Sequence, residues 1–135
     1  MENSKIKIAV LWTAVMCGFA LHTLADLLPL FWSADVAVDA SGAAPAGLLT
    51  FMMVVSYLLP VAGILCVLFG RSRAWSMTNA VLATAMLVFD LFHTGELFAG
   101  FNPVQLPLLP VILVAGGFLC RESWRIAERR SGSGL

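Results

Sequence analysis

The chain has 135 residues, 60% of them hydrophobic and only 12% charged, with a formal net charge of 0. Soluble domains are about 45–50% apolar and about 25% charged, so this composition excludes an ordinary soluble fold. It also leaves no electrostatic footprint for nucleic acid, and no nucleic-acid partner is expected.

In chain order the sequence reads as four apolar runs, at about residues 8–32, 46–69, 74–101 and 104–124. Each supplies the ~20 residues that an α-helix needs to cross a ~30 Å hydrocarbon core. The runs lack strict alternation, and a barrel needs at least about eight strands, so strands are excluded. Lys5 and Lys7 precede the first run as in a signal peptide. That run is far longer than a signal core of ~7–15 residues, so it is read as a span. The expectation is an all-α, four-helix transmembrane bundle, up-down, forming one domain over 1–130. The Ser/Gly-rich stretch 131–135 reads as a disordered tail.

The connections are legible. Ser33 to Pro45 reads as a loop, Gly70-Arg71-Ser72-Arg73 as a tight basic turn, and Gly100 to Pro103 as the third connection. Asn102-Pro103 suits a helix N-cap followed by proline, but Pro107 falls too deep for that register, so the fourth helix is expected to start nearer Leu106. Pro60 is expected to kink the second helix. Gly63, Gly116 and Gly117 suit close helix packing. Cys17, Cys66 and Cys120 have no metal-ligand spacing and read as small packing residues, without a disulfide.

Every Lys and Arg falls on one side of this arrangement: Lys5 and Lys7, Arg71 and Arg73, and Arg121, Arg125, Arg129 and Arg130. The other side carries Asp35 and Asp39. Basic residues favour the cytoplasmic side, which places both termini in the cytoplasm of a plasma (inner) membrane protein. Trp75 and Trp124 would mark the inner interface and Trp32 the outer one.

The polar residues within the runs are the candidate site, because ionisable groups inside a membrane are expensive and by default functional. His22 and Asp26 lie four apart on one face of the first helix. Asp90 and His93 lie three apart on one face of the third, with Thr94 beside them. At ~1.5 Å per residue these groups and Glu96 fall within ~10 Å of one another in depth, in the outer half of the bilayer. Tyr57 lies at the depth of His22, and the fourth helix offers Gln105 near its outer end. Two imidazoles with carboxylates suit Zn²⁺ or another divalent metal, with His22, Asp26, Asp90 and His93 as a tetrahedral set. Glu96 would then be the acid/base or gate, supported by Tyr57 and Thr94. Clustered carboxylates argue against a bis-histidine haem between His22 and His93.

Two resemblances attach to these residues. His22-x-x-x-Asp26 resembles the paired ligands on one helix of cation diffusion facilitator zinc transporters. The likeness covers those two positions and implies zinc binding there. That family has six helices and a cytoplasmic domain, against four runs here. The whole plan is similar to families of small four-helix bacterial membrane proteins, through the polar pair ending in Asp26 and the turn carrying Arg71, Arg73, Trp75 and Asn79. That resemblance implies a bacterial inner-membrane protein and no particular activity.

Three function classes remain open from sequence. The first is a divalent-metal site. The second is a proton-coupled transporter in which Asp90 and Glu96 carry protons and His22 and His93 relay them, working as a homo-oligomer because four helices enclose little volume. The third is a structural or assembly subunit whose polar cluster locks the first and third helices together. An enzyme is not specified, since no hydrolase signature such as His-Glu-x-x-His is present. The remaining partner is membrane lipid.

Overall fold

The computed structural model describes residues 2–33, 35, 45–99 and 103–132. Among them all regular structure is helical, with no strand. Helix α1 (Glu2–Leu27) continues into a 3-10 turn (Leu28–Trp32). Helix α2 (Ala46–Met53), a π-helical turn (Val54–Leu58) and α3 (Leu59–Phe69) follow one another as a single rod. Helix α4 (Arg73–Thr94), the short α5 (Glu96–Ala99) and α6 (Leu109–Gly132) complete the chain.

Three rods are long and apolar enough to cross a membrane: Glu2–Trp32, Ala46–Phe69 and Arg73–Thr94. Helix α6 falls outside that set for a readable reason. Its apolar part ends at Cys120, and Arg121, Glu122, Arg125, Glu128, Arg129 and Arg130 occupy most of the rest. Its start also lies later than the sequence suggests. Residues 103–108 form turns, and the helix begins at Leu109. A helix begun at Val104 would hold Pro107 too deep, where it lacks an N–H and crowds the carbonyl four residues back. Pro110 instead falls in the first helical turn, where no N–H is required. At the far end α6 runs through Gly132, past the expected tail boundary at Ser131. Asp39 and Asn102, which enter the reading of the loops, lie outside the described residues.

Pro60 leaves its mark on the second rod. It cannot donate to the Ser56 carbonyl four residues back, and the preceding turn widens into a π-helix over Val54–Leu58. The extra residue in that turn shifts which side chains face inward. Val55 is buried, whereas Tyr57 is 56% exposed.

The core is built from one face of each rod, the second rod contributing Val55, Pro60, Gly63, Cys66 and Val67. On α1 the buried residues are Ile8, Trp12, Val15, Phe19, His22 and Ala25, spaced by three or four. On α4 they are Ser76, Asn79, Ala80, Ala83, Met86 and Asp90. Leu109, Ile112, Gly116, Leu119, Ser123 and Ala127 line α6. This is the periodicity of a single helix face turned inward. Helix α6 packs on α4 and α1, and α3 packs on the same two, so α1 and α4 face each other across the bundle. The outer surface is apolar, with Leu21, Phe51, Phe92, Val111 and Phe118 all half or more exposed. An apolar exterior around a seam containing His, Asp, Asn and Gln is the inverse of a soluble protein and marks a membrane protein.

The two ends of the bundle differ. At one, Lys5 Nζ donates to the Gly70 carbonyl at 3.3 Å and Arg130 Nη1 donates to the Ser72 carbonyl at 3.0 Å. These bonds gather the start of α1, the α3–α4 turn and the end of α6. The ionisable seam residues sit towards the opposite end.

Candidate functional site

His22, on the inward face of α1, is 8% exposed, and its ring meets His93 of α4 edge-on, with centroids 4.5 Å apart. Their Nε2 atoms lie 2.8 Å apart. Phe89 stacks on the His93 ring at 5.5 Å, and Phe19 packs against it at 5.7 Å. The histidine pair is therefore walled by aromatic rings, and its ring planes are fixed by packing.

The third member comes from the turn ahead of α6. Gln105 is 4% exposed, and its backbone carbonyl accepts from the amides of Leu108 and Leu109, both at 3.1 Å. The same prolines that keep residues 103–108 out of the helix thus aim this side chain into the bundle. Its Oε1 lies 2.6 Å from His22 Nδ1. Its Nε2 donates to the His22 carbonyl at 3.4 Å and to Asp26 Oδ1.

These contacts fix the protons. An amide oxygen only accepts, so His22 Nδ1 must carry a hydrogen and donate it to Gln105. In the neutral ring His22 Nε2 is then a lone pair, and His93 must donate its own Nε2–H across the 2.8 Å gap. Asp26 Oδ2 lies 3.7 Å from the same His22 Nε2, on a side chain that is half exposed. The cluster therefore runs from an accessible carboxylate, through an amide, to two imidazoles sharing one hydrogen.

Asp90 stands apart from it. It lies one helical turn further into α4, 1% exposed, and neither carboxylate oxygen has a hydrogen-bond partner among the described residues. Its Oδ2 fills the space above Gly116 of α6 that a β-carbon would occupy. Only glycine admits the carboxyl there.

No family model, curated protein or solved structure matches this chain. The site must accordingly be read from its own geometry.

The residues expected from sequence divide as follows. His22, Asp26 and His93 come together. Asp90 is not brought to the other three, and among the described residues no group of three or more His, Cys, Asp and Glu side chains is arranged to hold a metal ion. The spacing of the histidines is that of a hydrogen-bonded pair. Two imidazole nitrogens on one tetrahedral Zn²⁺, each ~2.0–2.1 Å from it, would sit roughly 3.3 Å apart. At 2.8 Å they are at hydrogen-bond distance instead. Tyr57 is turned outward by the π-helical register and does not join the cluster. Thr94 spends its hydroxyl on the Asp90 backbone carbonyl at 2.7 Å. Glu96 follows the helix break at Gly95 and starts α5, and its side chain lies outside the described residues. Gln105, noted from sequence only as a polar residue of matching depth, is the hub. Its signal was the run of three prolines around it, which argues for a turn and against a lipid-facing helical position.

A second polar network lies towards the basic end. Trp12 Nε1 donates to Asn79 Oδ1 at 2.9 Å, and Asn79 Nδ2 donates to Ser123 Oγ at 2.8 Å. All three residues are buried. The Trp12 ring lies over Gly63, whose missing side chain makes room for it.

Proposed function

We propose that this chain is a bacterial inner-membrane protein, an up-down bundle with both ends cytoplasmic, whose outer-end histidine pair exchanges protons with a buried aspartate. The topology rests on the eight Lys and Arg residues, which the chain order puts on one side, and on the Lys5 and Arg130 contacts that gather that end. Helix α6 crosses with the others by burying its short apolar part against α4 and α1.

The observation that carries the proton reading is the 2.8 Å separation of His22 Nε2 and His93 Nε2. One hydrogen between two imidazole nitrogens is the arrangement that proton transfer requires. A proton added to neutral His93 makes an imidazolium, which gives its Nε2 hydrogen to His22 Nε2. His22 then carries both ring hydrogens, with Asp26 3.7 Å away to balance the charge at the accessible end. Asp90, one turn inward of His93 and without a partner, stands at the other end of the relay: it supplies the proton that His93 takes up, and receives one when the same steps run in reverse from the Asp26 end. Beyond Asp90, Met86 and Ala83 are fully buried, so the seam is apolar up to Asn79. A proton reaching Asp90 crosses further only if the helices rearrange, so passage is carrier-like and not that of an open channel.

The test is proton movement in proteoliposomes loaded with a pH-sensitive dye. An imposed pH gradient should collapse faster than in protein-free vesicles. Asp90→Asn and His93→Phe should each slow that collapse at least about tenfold, the scale of losing a positioned proton donor or acceptor. Equal rates in wild type, Asp90→Asn and empty vesicles would sink the reading. Zn²⁺ or another transition metal bound near-stoichiometrically, and lost in both His22→Ala and His93→Ala, would replace it with a metal site.

A further inference from the structure

At the basic end, two recesses meet on the face between α1 and α6. The first is a trough of about 420 Å³, walled by Ile6, Val10 and Leu11 of α1 and Phe118 of α6. Its volume falls within the ~300–1,000 Å³ of ligand-sized pockets. The second is a polar cleft of about 100 Å³ lined by Ser4, Lys7, Arg125 and Arg129. Lys7 and Glu122 border both, so trough and cleft are continuous. Glu122 is met by Arg125 Nη1 at 2.7 Å. The balance of three cations to one carboxylate leaves the cleft suited to an anion.

From this continuity we infer that the face binds an anionic phospholipid, with an acyl chain along the trough and the headgroup phosphate between Lys7 and Arg129. The apolar trough has no role for a free phosphate, and the cationic cleft has none for a neutral lipid. The arrangement suits an amphiphile whose charge and chain are joined at one point. The membrane positions such a molecule without further help, since Lys7 and Arg129 lie at the end that basic residues assign to the anionic cytoplasmic leaflet. Lys7 can lay its methylenes along the trough and hold its ammonium in the cleft. The inference is separate from the proton reading, because these residues lie at the opposite end of the bundle from His22 and His93.

Native mass spectrometry of the full chain in a mild detergent, titrated with phosphatidylglycerol or phosphatidylcholine, tests this directly. Phosphatidylglycerol adducts should persist at activation energies that strip phosphatidylcholine. Lys7→Ala should weaken them about fivefold and Lys7→Ala with Arg129→Ala about 25-fold, given the known contribution of each basic residue near an anionic surface. Val10→Trp fills the trough without touching a charge and should also remove the adduct. Excess inorganic phosphate should leave it in place. Equal retention of the two lipids, or undiminished phosphatidylglycerol binding by the double variant, overturns the site. Full displacement by inorganic phosphate together with normal binding by Val10→Trp overturns it as a lipid site. Both alanine changes are at exposed side chains, and pH-gradient collapse should be unchanged in them, so failure here is distinguishable from failure of the proton reading.

Discussion

The bundle contains two buried polar networks that join the same helices, and they are built on opposite principles. Near the basic end, Trp12, Asn79 and Ser123 form a neutral chain in which the indole N–H, the amide oxygen and the amide nitrogen each have a partner. Towards the other end, His22, His93, Gln105 and Asp26 form a chain of titratable groups, and Asp90 beside it has no partner among the described residues. Both networks cross the bundle from α1 to α4, and both recruit the segment containing α6 as a third member. A neutral network with its groups paired is what structural glue requires. An ionisable group left unpaired inside a membrane protein is a cost that needs a function to explain it. On the proton reading proposed above, the first network supplies stability and the second chemistry.

The largest expected effect falls on the stable side of that comparison. Trp12→Ala removes a fully buried indole that packs over Gly63 and donates to Asn79. A loss of about 3–5 kcal/mol is expected from the cavity and the lost contacts, read from denaturant titration in detergent. A loss below about 1 kcal/mol would mean that the inner network is not the anchor.

Gly116→Ala probes the boundary between the networks. The new methyl would overlap the Asp90 carboxylate, and overpacking of this kind costs about 1–3 kcal/mol. In an Asp90→Ala background the space is open, so most of that cost should vanish. A double-mutant cycle with a coupling energy below about 0.5 kcal/mol would show that Asp90 does not lie against α6.

A paired comparison of amides and carboxyls sharpens the contrast further. Asn79→Ala loses two interhelical hydrogen bonds and should destabilise by about 1–2 kcal/mol with proton movement unchanged, since such bonds average ~0.6 and reach ~1.7 kcal/mol each. Asp90→Asn keeps the shape of a side chain that has no hydrogen bond to lose. Its stability should stay within about 0.5 kcal/mol of wild type while proton movement is lost. The reverse pattern would exchange the roles assigned to the two networks.

Much of this was legible in the sequence, and what was missed has definite causes. Apolar run length is a strong signal because a bilayer sets the length of its spans, so the three rods long and apolar enough to cross follow directly. The fourth helix was placed early, because an apolar run cannot be divided into turn and helix without weighing Pro107 against Pro110. The His22–His93 pairing followed from matched depth on two faces, since depth depends on rise per residue, which is nearly constant. Helix rotation is less constrained. Tyr57 was misplaced because a proline-induced π-turn changes the register by part of a turn, and no composition rule records it. Asp90 shares a face with His93, yet its carboxyl is drawn to Gly116, and that preference depends on which helix lies alongside α4.

The smallest effect, and the most specific, concerns Gln105. Gln105→Leu preserves size but removes the acceptor for His22 Nδ1 and the donor to Asp26. Only about 1 kcal/mol of stability should be lost, because the half-exposed Asp26 can turn to water and one imidazole N–H is left to find another partner. The informative readout is the hydrogen placement itself. With Gln105 present, ¹⁵N imidazole spectra at a pH where both rings are neutral should show His22 protonated at Nδ1 and His93 at Nε2, since the amide oxygen can only accept. With leucine there, nothing holds the His22 hydrogen at Nδ1, and its Nε2 can no longer be relied on as the acceptor facing His93. Proton movement should fall, and the ¹⁵N pattern of His22 should become a mixture of tautomers. An unchanged pattern would mean that the histidine pair orders its own hydrogens, and Gln105 would then serve only to tie the turn before α6 to α1.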